Sequence, residues 1–251
     1  LDTAAELVGT ALHPLNRAVL GEGKDGKPRV VKGHGLFVPR MEPDLKSASR
    51  TPFSRAMAGI GGITPYDAPA GDLYMDCFSA GIFAGKGLID IEAFAAAAVP
   101  ELPPEQVLSH DILEGSLLNA GLVSDVAMAD GCPSSMGGWL DRLHRWIRGD
   151  WQNAPFLWNR LLPLTRLDKW KLLDNLRRSV TPAACLLCLL LSPLFGGREG
   201  QLLALAGLLA PVAGNLLAAL LALVHGGWLT LGGRYYSRVL PRAMGALTQA
   251  W

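Results

Sequence analysis

Two short polar runs contain the residue types needed to transfer a sugar from a charged donor. Residues 109–115 read SHDILEG, and residues 144–152 read HRWIRGDWQ. The first run places a carboxylate at a predicted helix start. The second combines Arg, Trp, His and Asp directly before a strongly apolar region. An acid, anion-binding guanidinium groups and sugar-stacking indoles at a bilayer surface are the groups required to polymerise a sugar.

The first run supplies the candidate catalytic base. In a helix that starts near Ser109, Asp111 lies in the first turn and shares a face with Glu114. Backbone N–H groups at a helix N-terminus orient a carboxylate and keep it ionised. Such a carboxylate can take a proton from an acceptor hydroxyl. The alternative is ordinary N-terminal helix charge, which for these two residues alone is the commoner explanation.

The second run supplies candidate binding groups for a diphosphate and an acceptor sugar. Arginine binds phosphate oxygens bidentately, and tryptophan offers a flat apolar face to a sugar ring. The alternative is an interfacial membrane helix, where Trp and Arg are common in any case. The binding candidates are His144, Arg145, Trp146, Arg148 and Trp151, with Asp76, Lys86, Glu114, Asp150 and Gln152 as weaker donor- or acceptor-site candidates.

The glycine-rich segment 81–87 resembles a phosphate-binding loop but does not match one. Three residues separate Gly81 from Gly85-Lys86, and Gly87 follows where Ser or Thr is required. Backbone N–H groups of such a turn could still face a ligand, and a plain turn is equally consistent. No spacing of His, Cys and Asp indicates a metal site.

Composition argues against a nucleic-acid partner and for a membrane. The formal net charge is −2 over residues 1–178 and +3 over residues 179–251, so neither part of the chain is strongly basic. Hydrophobic residues make up 50% of the chain and charged residues 18%. Residues 179–197 carry no charged side chain, and residues 201–231 contain only one ionisable side chain, a histidine. Both stretches are long enough to predict membrane spans. The alternative is a buried helical hairpin in a large soluble protein.

The pattern of the remaining residues predicts an α/β fold. Helical and strand-like stretches alternate, whereas residues 40–73 show little periodicity and predict a long functional loop. Residues 139–162 and 165–178 predict two amphipathic helices at the membrane interface, each preceding the apolar region. The predicted helices upstream are 3–12, 91–99 and one from Ser109 to about residue 120, and the predicted strands are 29–31, 36–38 and 122–126.

At these motifs the chain resembles the glycosyltransferase domain of bacterial cyclic β-1,2-glucan synthases. The resemblance rests on residues 85–90 (GKGLID), 108–115 (LSHDILEG), 121–125 (GLVSD) and 144–152, supported by Pro133-Ser134. Residues 8–17, 33–40 and 175–179 are similar to the same domain. The resemblance covers nearly the whole chain.

The resemblance implies a role for several residues. It places Asp111 where related processive synthases carry the catalytic base. It matches Arg145-Trp146 to the end of a Gln-x-x-Arg-Trp signature that holds the acceptor sugar and the diphosphate. Arg142 occupies the Gln position, which departs from the family pattern. The family's Asp-x-Asp, which grips UDP and a divalent metal (Mg²⁺ or Mn²⁺), is absent, so we expect the metal ligands to lie outside this chain.

Together these observations predict a partial GT-A-like (Rossmann-like) glycosyltransferase domain at 1–138, interfacial helices at 139–178, and a transmembrane hairpin with a cytoplasmic tail at 179–251. The resemblance implies transfer of glucose from UDP-glucose to a growing β-1,2-glucan with inversion, within a larger parent synthase. We expect an inner (cytoplasmic) membrane protein with residues 1–178 in the cytoplasm, because basic residues flank the apolar pair. We also expect the chain alone to be inactive. The alternative is a non-catalytic, membrane-anchored glycan-binding or scaffolding module.

Overall fold

The computed structural model describes residues 2–23, 26–58, 73–102, 107, 110–159 and 162–224. Its strands are β1 (Val19–Glu22), β2 (Pro28–Lys32), β3 (Leu36–Pro43), β4 (Leu88–Ile89) and β5 (Gly121–Asp130). Its helices are α1 (Asp2–Leu12), α2 (Leu45–Ala48), α3 (Pro52–Met57), α4 (Leu73–Phe78), α5 (Ile91–Ala93, continued by a π-helical turn Phe94–Ala98), α6 (Asp111–Leu117), α7 (Met136–Asn153, continued by a 3₁₀ turn Ala154–Leu157), α8 (Arg166–Phe195) and α9 (Gly197–Val224).

Strand β3 lies at the centre of a three-stranded sheet with the order β4-β3-β5. It pairs in parallel with β5 and antiparallel with β4, and its first four residues are buried. A parallel pair must be joined by a crossover, and here the crossover contains β4, α5 and α6. Strands β1 and β2 form a separate antiparallel hairpin. The chain is therefore a mixed α/β protein with small sheets.

Helix α6 joins the sheet to the C-terminal helices. Behind it, Leu117 and Leu118 pack with Leu36 and Phe83 in the core next to β3. On its other side, the buried residue pair at 112–113 packs with Leu162 and Leu172. Both ends of the helix are thus fixed by apolar contacts, which positions its first residue, Asp111.

Helix α8 is one continuous helix from Arg166 to Phe195. The prediction of a helix that stops at 178, followed by a separate span interrupted by Pro182, was wrong on this point. Proline removes one backbone hydrogen bond but does not have to end a helix when packing supports both sides of it. The Thr165 hydroxyl accepts from the Asp168 N–H, and the Asp168 carboxylate accepts from the Thr165 N–H, so a capping box begins the helix at the predicted position.

Helices α8 and α9 form an antiparallel hairpin. A Cβ atom at Gly200 would lie 2.4 Å from the carbonyl oxygen of Ser192, and one at Gly207 would lie 2.8 Å from that of Cys185. The two glycines therefore let the helix backbones approach closely. Gly196, with φ 59°, turns the chain between the helices.

Within the described part of the chain, one helix, α8, is long and apolar enough to cross a membrane. Only 6% of its most apolar window is buried inside the protein. Leu190, Leu194 and Phe195 are among its exposed side chains. Exposed leucine in this quantity points to membrane association. The second predicted span stays a prediction, since α9 is described to Val224 and residues 225–231 lie outside the described residues.

Other predictions fared differently. The predicted helix 3–12 and the predicted strands at 29–31, 36–38 and 122–126 are confirmed. The predicted long loop at 40–73 has regular structure in its first part, because residues 40–43 extend β3 and α2 and α3 follow. Residues 59–72 lie outside the described residues, and the functional role of the segment stays a prediction. Strand β1 was not among the predicted strands, because its four residues include a glycine and a charged side chain and show no apolar alternation. The GT-A topology itself stays a prediction.

Candidate active site

A cavity of about 80 Å³ brings the two sequence motifs together. One wall is the loop between α4 and β4, a second is the start of α6, a third is α7 and the last is α8. The lining residues are Ile82, Phe83 and Ala84 from the loop, Asp111 and Ile112 from α6, Trp146, Asp150 and Asn153 from α7, and Asn175 and Arg178 from α8.

Asp111 is the first residue of α6, and two glycines set its position. A Cβ atom at Gly115 would lie 2.8 Å from the Cβ of Phe83, so this glycine lets the helix pack against the cavity loop. A Cβ atom at Gly85, where φ is +85°, would lie 3.0 Å from Oδ2 of Asp111. The glycine turn therefore leaves space for the carboxylate. The interpretation that its backbone N–H groups face a ligand stays a prediction.

Trp146 reaches the cavity from the inner face of α7. Asp150 and Asn153 follow at spacings of four and three residues, which places all three side chains on one helical face. The guanidinium carbons of Arg142 and Arg178 lie 5.8 and 5.4 Å from the centre of the Trp146 ring. Both distances are within the range of a cation–π interaction. The indole is thus held by cationic groups while part of it lines the cavity.

A buried ion pair joins α7 to α8 beside the indole. Nη2 of Arg178 donates to Oδ2 of Asp150 at 2.6 Å, and Asp150 is 8% exposed. Burial raises the pKa of Asp150 above its ordinary value, while the hydrogen bond and charge of Arg178 act in the opposite direction.

The residues that α8 contributes were not among the sequence-predicted site residues. Asn175 and Arg178 lie far along the chain from Asp111 yet line the same cavity. The run Asn175 to Ser179, which carried part of the family resemblance, was the available signal. Its composition is equally consistent with a cavity wall and with the basic flank of a membrane helix.

Three of the predicted cationic groups do not line this cavity. His144, Arg145 and Arg148 are exposed on the outer faces of α7. Arg145 directly precedes Trp146, so its side chain leaves the helix about 100° away from the indole. Trp151 is 54% exposed, and its indole N–H donates to Oγ of Ser179 at 3.0 Å. Of the motif at 144–152, Trp146 and Asp150 are the cavity residues.

The weaker candidates occupy other positions. Glu114 is buried behind Asp111, and its Oε1 lies 2.7 Å from Nδ1 of His110. Burial raises the pKa of Glu114, the charge of His110 lowers it and the charge of Asp111 raises it. Lys86 forms an ion pair with Asp130 at the end of β5. Asp76 is exposed on α4, and Gln152 is half-buried on α7.

The described residues do not fit a metal ion. Among residues 2–23, 26–58, 73–102, 107, 110–159 and 162–224, no three His, Cys, Asp or Glu side chains converge in a way that could hold one. The cavity itself contains two carboxylates, and one of them is paired with Arg178.

The cavity combines a proton acceptor with a flat apolar surface. The carboxylate of Asp111 can accept a proton from a bound hydroxyl group. The indole of Trp146 can pack against the apolar face of a sugar ring. Side-chain amides at 153 and 175 add hydrogen-bonding groups on either side. Such a combination suits an alcohol acceptor carried on a carbohydrate.

No family model matches the chain. One curated protein is similar, the cyclic β-(1,2)-glucan synthase NdvB of Rhizobium meliloti (strain 1021). It is 40% identical over 186 residues, which is 74% of this chain and 6% of the length of the synthase. The chain thus spans a small part of the relative that it matches. At this level of identity over three quarters of its residues, the chain is related to the cyclic β-(1,2)-glucan synthase.

Proposed function

We propose that the chain forms the acceptor side of a membrane-bound, processive glucosyltransferase site. The observation that carries the proposal is the shared cavity of Asp111 and Trp146. The relationship to a glucan synthase supplies the class of reaction. In this proposal the donor is UDP-glucose, the acceptor is a β-1,2-glucan, and the chain acts together with the rest of a larger synthase.

Asp111 acts as the general base. The acceptor 2-hydroxyl oxygen attacks the anomeric carbon of the donor glucose from the side opposite the diphosphate. The bond between that carbon and the diphosphate oxygen breaks, its electron pair leaves with UDP, and the hydroxyl proton passes to the Asp111 carboxylate. One glycosidic bond forms and one donor bond breaks, with inversion at the anomeric carbon. A positioned base of this kind contributes about 10²- to 10⁴-fold to a rate.

Trp146 holds the terminal acceptor sugar against its ring, which orients the hydroxyl toward Asp111. Arg145 and Arg148, together with His144, extend from other faces of α7. Guanidinium groups stabilise charge that develops on phosphate oxygens. These three groups point away from the cavity, whereas the diphosphate leaves the carbon that the acceptor hydroxyl attacks, so their role in binding the diphosphate stays a prediction.

We propose that α8 holds the site at a membrane surface. The support is that α8 runs without a break from the cavity into its apolar half. We propose a bacterial inner membrane location, with residues 1–178 in the cytoplasm where UDP-glucose is available.

The test replaces Asp111 by Asn in the intact membrane-bound protein and measures incorporation of labelled glucose from UDP-glucose into glucan. The expected loss is about 10²- to 10⁴-fold in kcat, because the amide cannot take the proton. Asp125→Asn, which removes an exposed carboxylate on β5, is the matched control and should transfer at the normal rate. Transfer by Asp111→Asn near the normal rate would exclude Asp111 as the base. Glucan binding without any transfer by the unmodified protein would instead favour a glycan-binding module.

A further inference from the structure

One face of α8 contacts two other walls of the cavity, the loop between α4 and β4 and helix α7. Lys171, Asn175 and Arg178 are spaced four and three residues apart, so their side chains project from the same side of the helix. Asn175 and Arg178 line the cavity directly. The same helix continues into the apolar stretch that is long enough to cross a membrane.

Arg178 contacts both Trp146, the proposed platform for the acceptor sugar, and Asp150. Its guanidinium carbon lies 5.4 Å from the centre of the Trp146 ring, and its Nη2 donates to the Asp150 carboxylate at 2.6 Å. The Arg178 side chain is 27% exposed and that of Asp150 is 7% exposed. A guanidinium already neutralised by a buried carboxylate is poorly suited to bind a diphosphate. Its planar fork is well suited to fix the orientation of an indole.

Lys171 performs a corresponding task at the opposite wall. Its side chain is 2% exposed, and its Nζ donates to the carbonyl oxygens of Ala80 and Gly81 at 2.9 Å each. These two carbonyls directly precede the loop residues 82–84 that line the cavity. The first turns of α8 therefore hold the loop through Lys171 and the indole through Arg178.

We infer that Arg178 is a positioning residue that couples the membrane helix α8 to acceptor binding by orienting Trp146 through its contacts with the ring and with Asp150. The inference rests on the proposed function of Trp146 as the acceptor platform. It assigns Arg178 no contact with the reacting atoms. Acceptor affinity then depends on the position of α8, whereas donor affinity does not.

The kinetic test compares Arg178→Gln with Arg177→Gln in the intact membrane-bound protein. Arg177 is the neighbouring residue, is 71% exposed and pairs with Asp174. Arg178→Gln should raise the KM for a glucan acceptor roughly 3- to 30-fold, the range expected for loss of a cation–π contact, with the KM for UDP-glucose nearly unchanged. Arg177→Gln should change none of these values. An unchanged acceptor KM in Arg178→Gln would overturn the inference.

A double variant separates positioning from folding. Arg178→Gln leaves a buried carboxylate without its cation, which can destabilise the protein. Asp150→Asn combined with Arg178→Gln removes both charges and retains groups that can hydrogen-bond. We expect this protein to fold and still show the raised acceptor KM, because one of the two cations beside the ring is gone and only Arg142 remains. A normal acceptor KM in the double variant would show that the pair is merely structural.

A spectroscopic arm does not depend on activity. The protein is labelled with 5-fluorotryptophan, and the ¹⁹F resonance of Trp146 is assigned by its loss in Trp146→Phe. The double variant should shift that resonance, whereas Arg177→Gln should leave it unchanged; an unshifted resonance in the double variant would overturn the inference.

If Asp111→Asn retains transfer, the proposed function fails, while the ¹⁹F measurement still decides whether Arg178 positions Trp146. If Asp111→Asn is inactive but the acceptor KM and the resonance do not change in the Arg178 variants, only the coupling fails.

Discussion

Gly85 leaves the space that the Asp111 carboxylate occupies. A Cβ atom at Gly85 would lie 3.0 Å from Oδ2 and 3.3 Å from Cγ of Asp111. The φ of +85° at this glycine is also one that other residues adopt only with strain. The glycine turn and the carboxylate, which the sequence indicated separately, thus form one unit.

Gly85→Ala should impair transfer more than it impairs folding. The added methyl group pushes the carboxylate away from its position, and misplacement of a catalytic group by about 1 Å can cost about 10²-fold in rate. The left-handed conformation adds a cost of about 1–2 kcal/mol to the free energy of folding. The measurement is kcat for glucosyl transfer alongside the midpoint of thermal unfolding.

Gly26→Ala is the matched control for this strain. Gly26 has a φ of +76°, but a Cβ atom added there would meet no described atom within 4 Å. This variant should show a similar loss of stability with kcat unchanged. Equal loss of kcat in both variants would show that strain, and not contact with Asp111, accounts for the effect.

Trp146→Ala should weaken acceptor binding. Loss of the flat ring removes the proposed sugar platform, so the acceptor KM should rise about tenfold, corresponding to about 1.4 kcal/mol. Trp158→Ala removes a tryptophan that is 76% exposed and should leave KM unchanged. Initial rates measured over a range of glucan concentrations provide the check, and equal KM values for the two variants would contradict the assignment.

Glu114→Gln should remove a loss of stability that the unmodified protein suffers as pH rises. Burial is the largest effect on the Glu114 carboxyl and raises its pKa above 4.5. A group whose pKa is raised on folding stabilises the fold fully below its unfolded pKa and loses that contribution as pH rises through its folded pKa. The neutral amide has no such loss. The Tm of Glu114→Gln minus the Tm of the unmodified protein should therefore increase as pH rises above about 4.5.

The matched control for this pH dependence is Glu92→Gln, which removes an exposed carboxylate from α5. Thermal unfolding in detergent at a series of pH values measures both variants. If the difference in Tm between Glu114→Gln and the unmodified protein stays constant or decreases with pH, burial is not the main influence on Glu114.

Gly207→Leu should separate the helices of the α8–α9 hairpin. Its Cβ atom would lie 2.8 Å from the carbonyl oxygen of Cys185 and 2.9 Å from Cγ of Leu189. Overpacking of this kind costs about 1–3 kcal/mol, which would lower the unfolding temperature in detergent. Ala206→Leu adds the same bulk at an exposed neighbouring position and should have little effect. Similar unfolding temperatures for the two variants would contradict close packing at Gly207.

The local elements that the sequence predicted correctly have strong periodicity or clear end signals. Helix α1 is predicted by its apolar spacing, and Thr165 correctly indicates the start of α8. Asp111 was placed at a helix start on the same basis. These features depend on neighbours in the chain, and short-range rules describe such neighbours well.

The contacts that complete the cavity could not be predicted in the same way. Arg178 reads equally well as a basic flank of a membrane helix and as the partner of Asp150 on another helix. The buried Lys171 donates to carbonyl oxygens of residues that lie about 90 positions earlier in the chain. Which face of α7 points inward decides that Trp146 lines the cavity and Arg145 does not. Tertiary packing determines these contacts, and the spacing of charges along a single helix does not predict how that helix packs.

The most direct measurement is a cryo-EM structure of the intact membrane-bound protein with a glucan oligosaccharide. We predict that the terminal sugar packs against the Trp146 indole and that one of its hydroxyl oxygens lies within about 3.2 Å of the Asp111 carboxylate. An oligosaccharide bound at another surface, with no hydroxyl within reach of Asp111, would contradict the assignment of this cavity as the acceptor site.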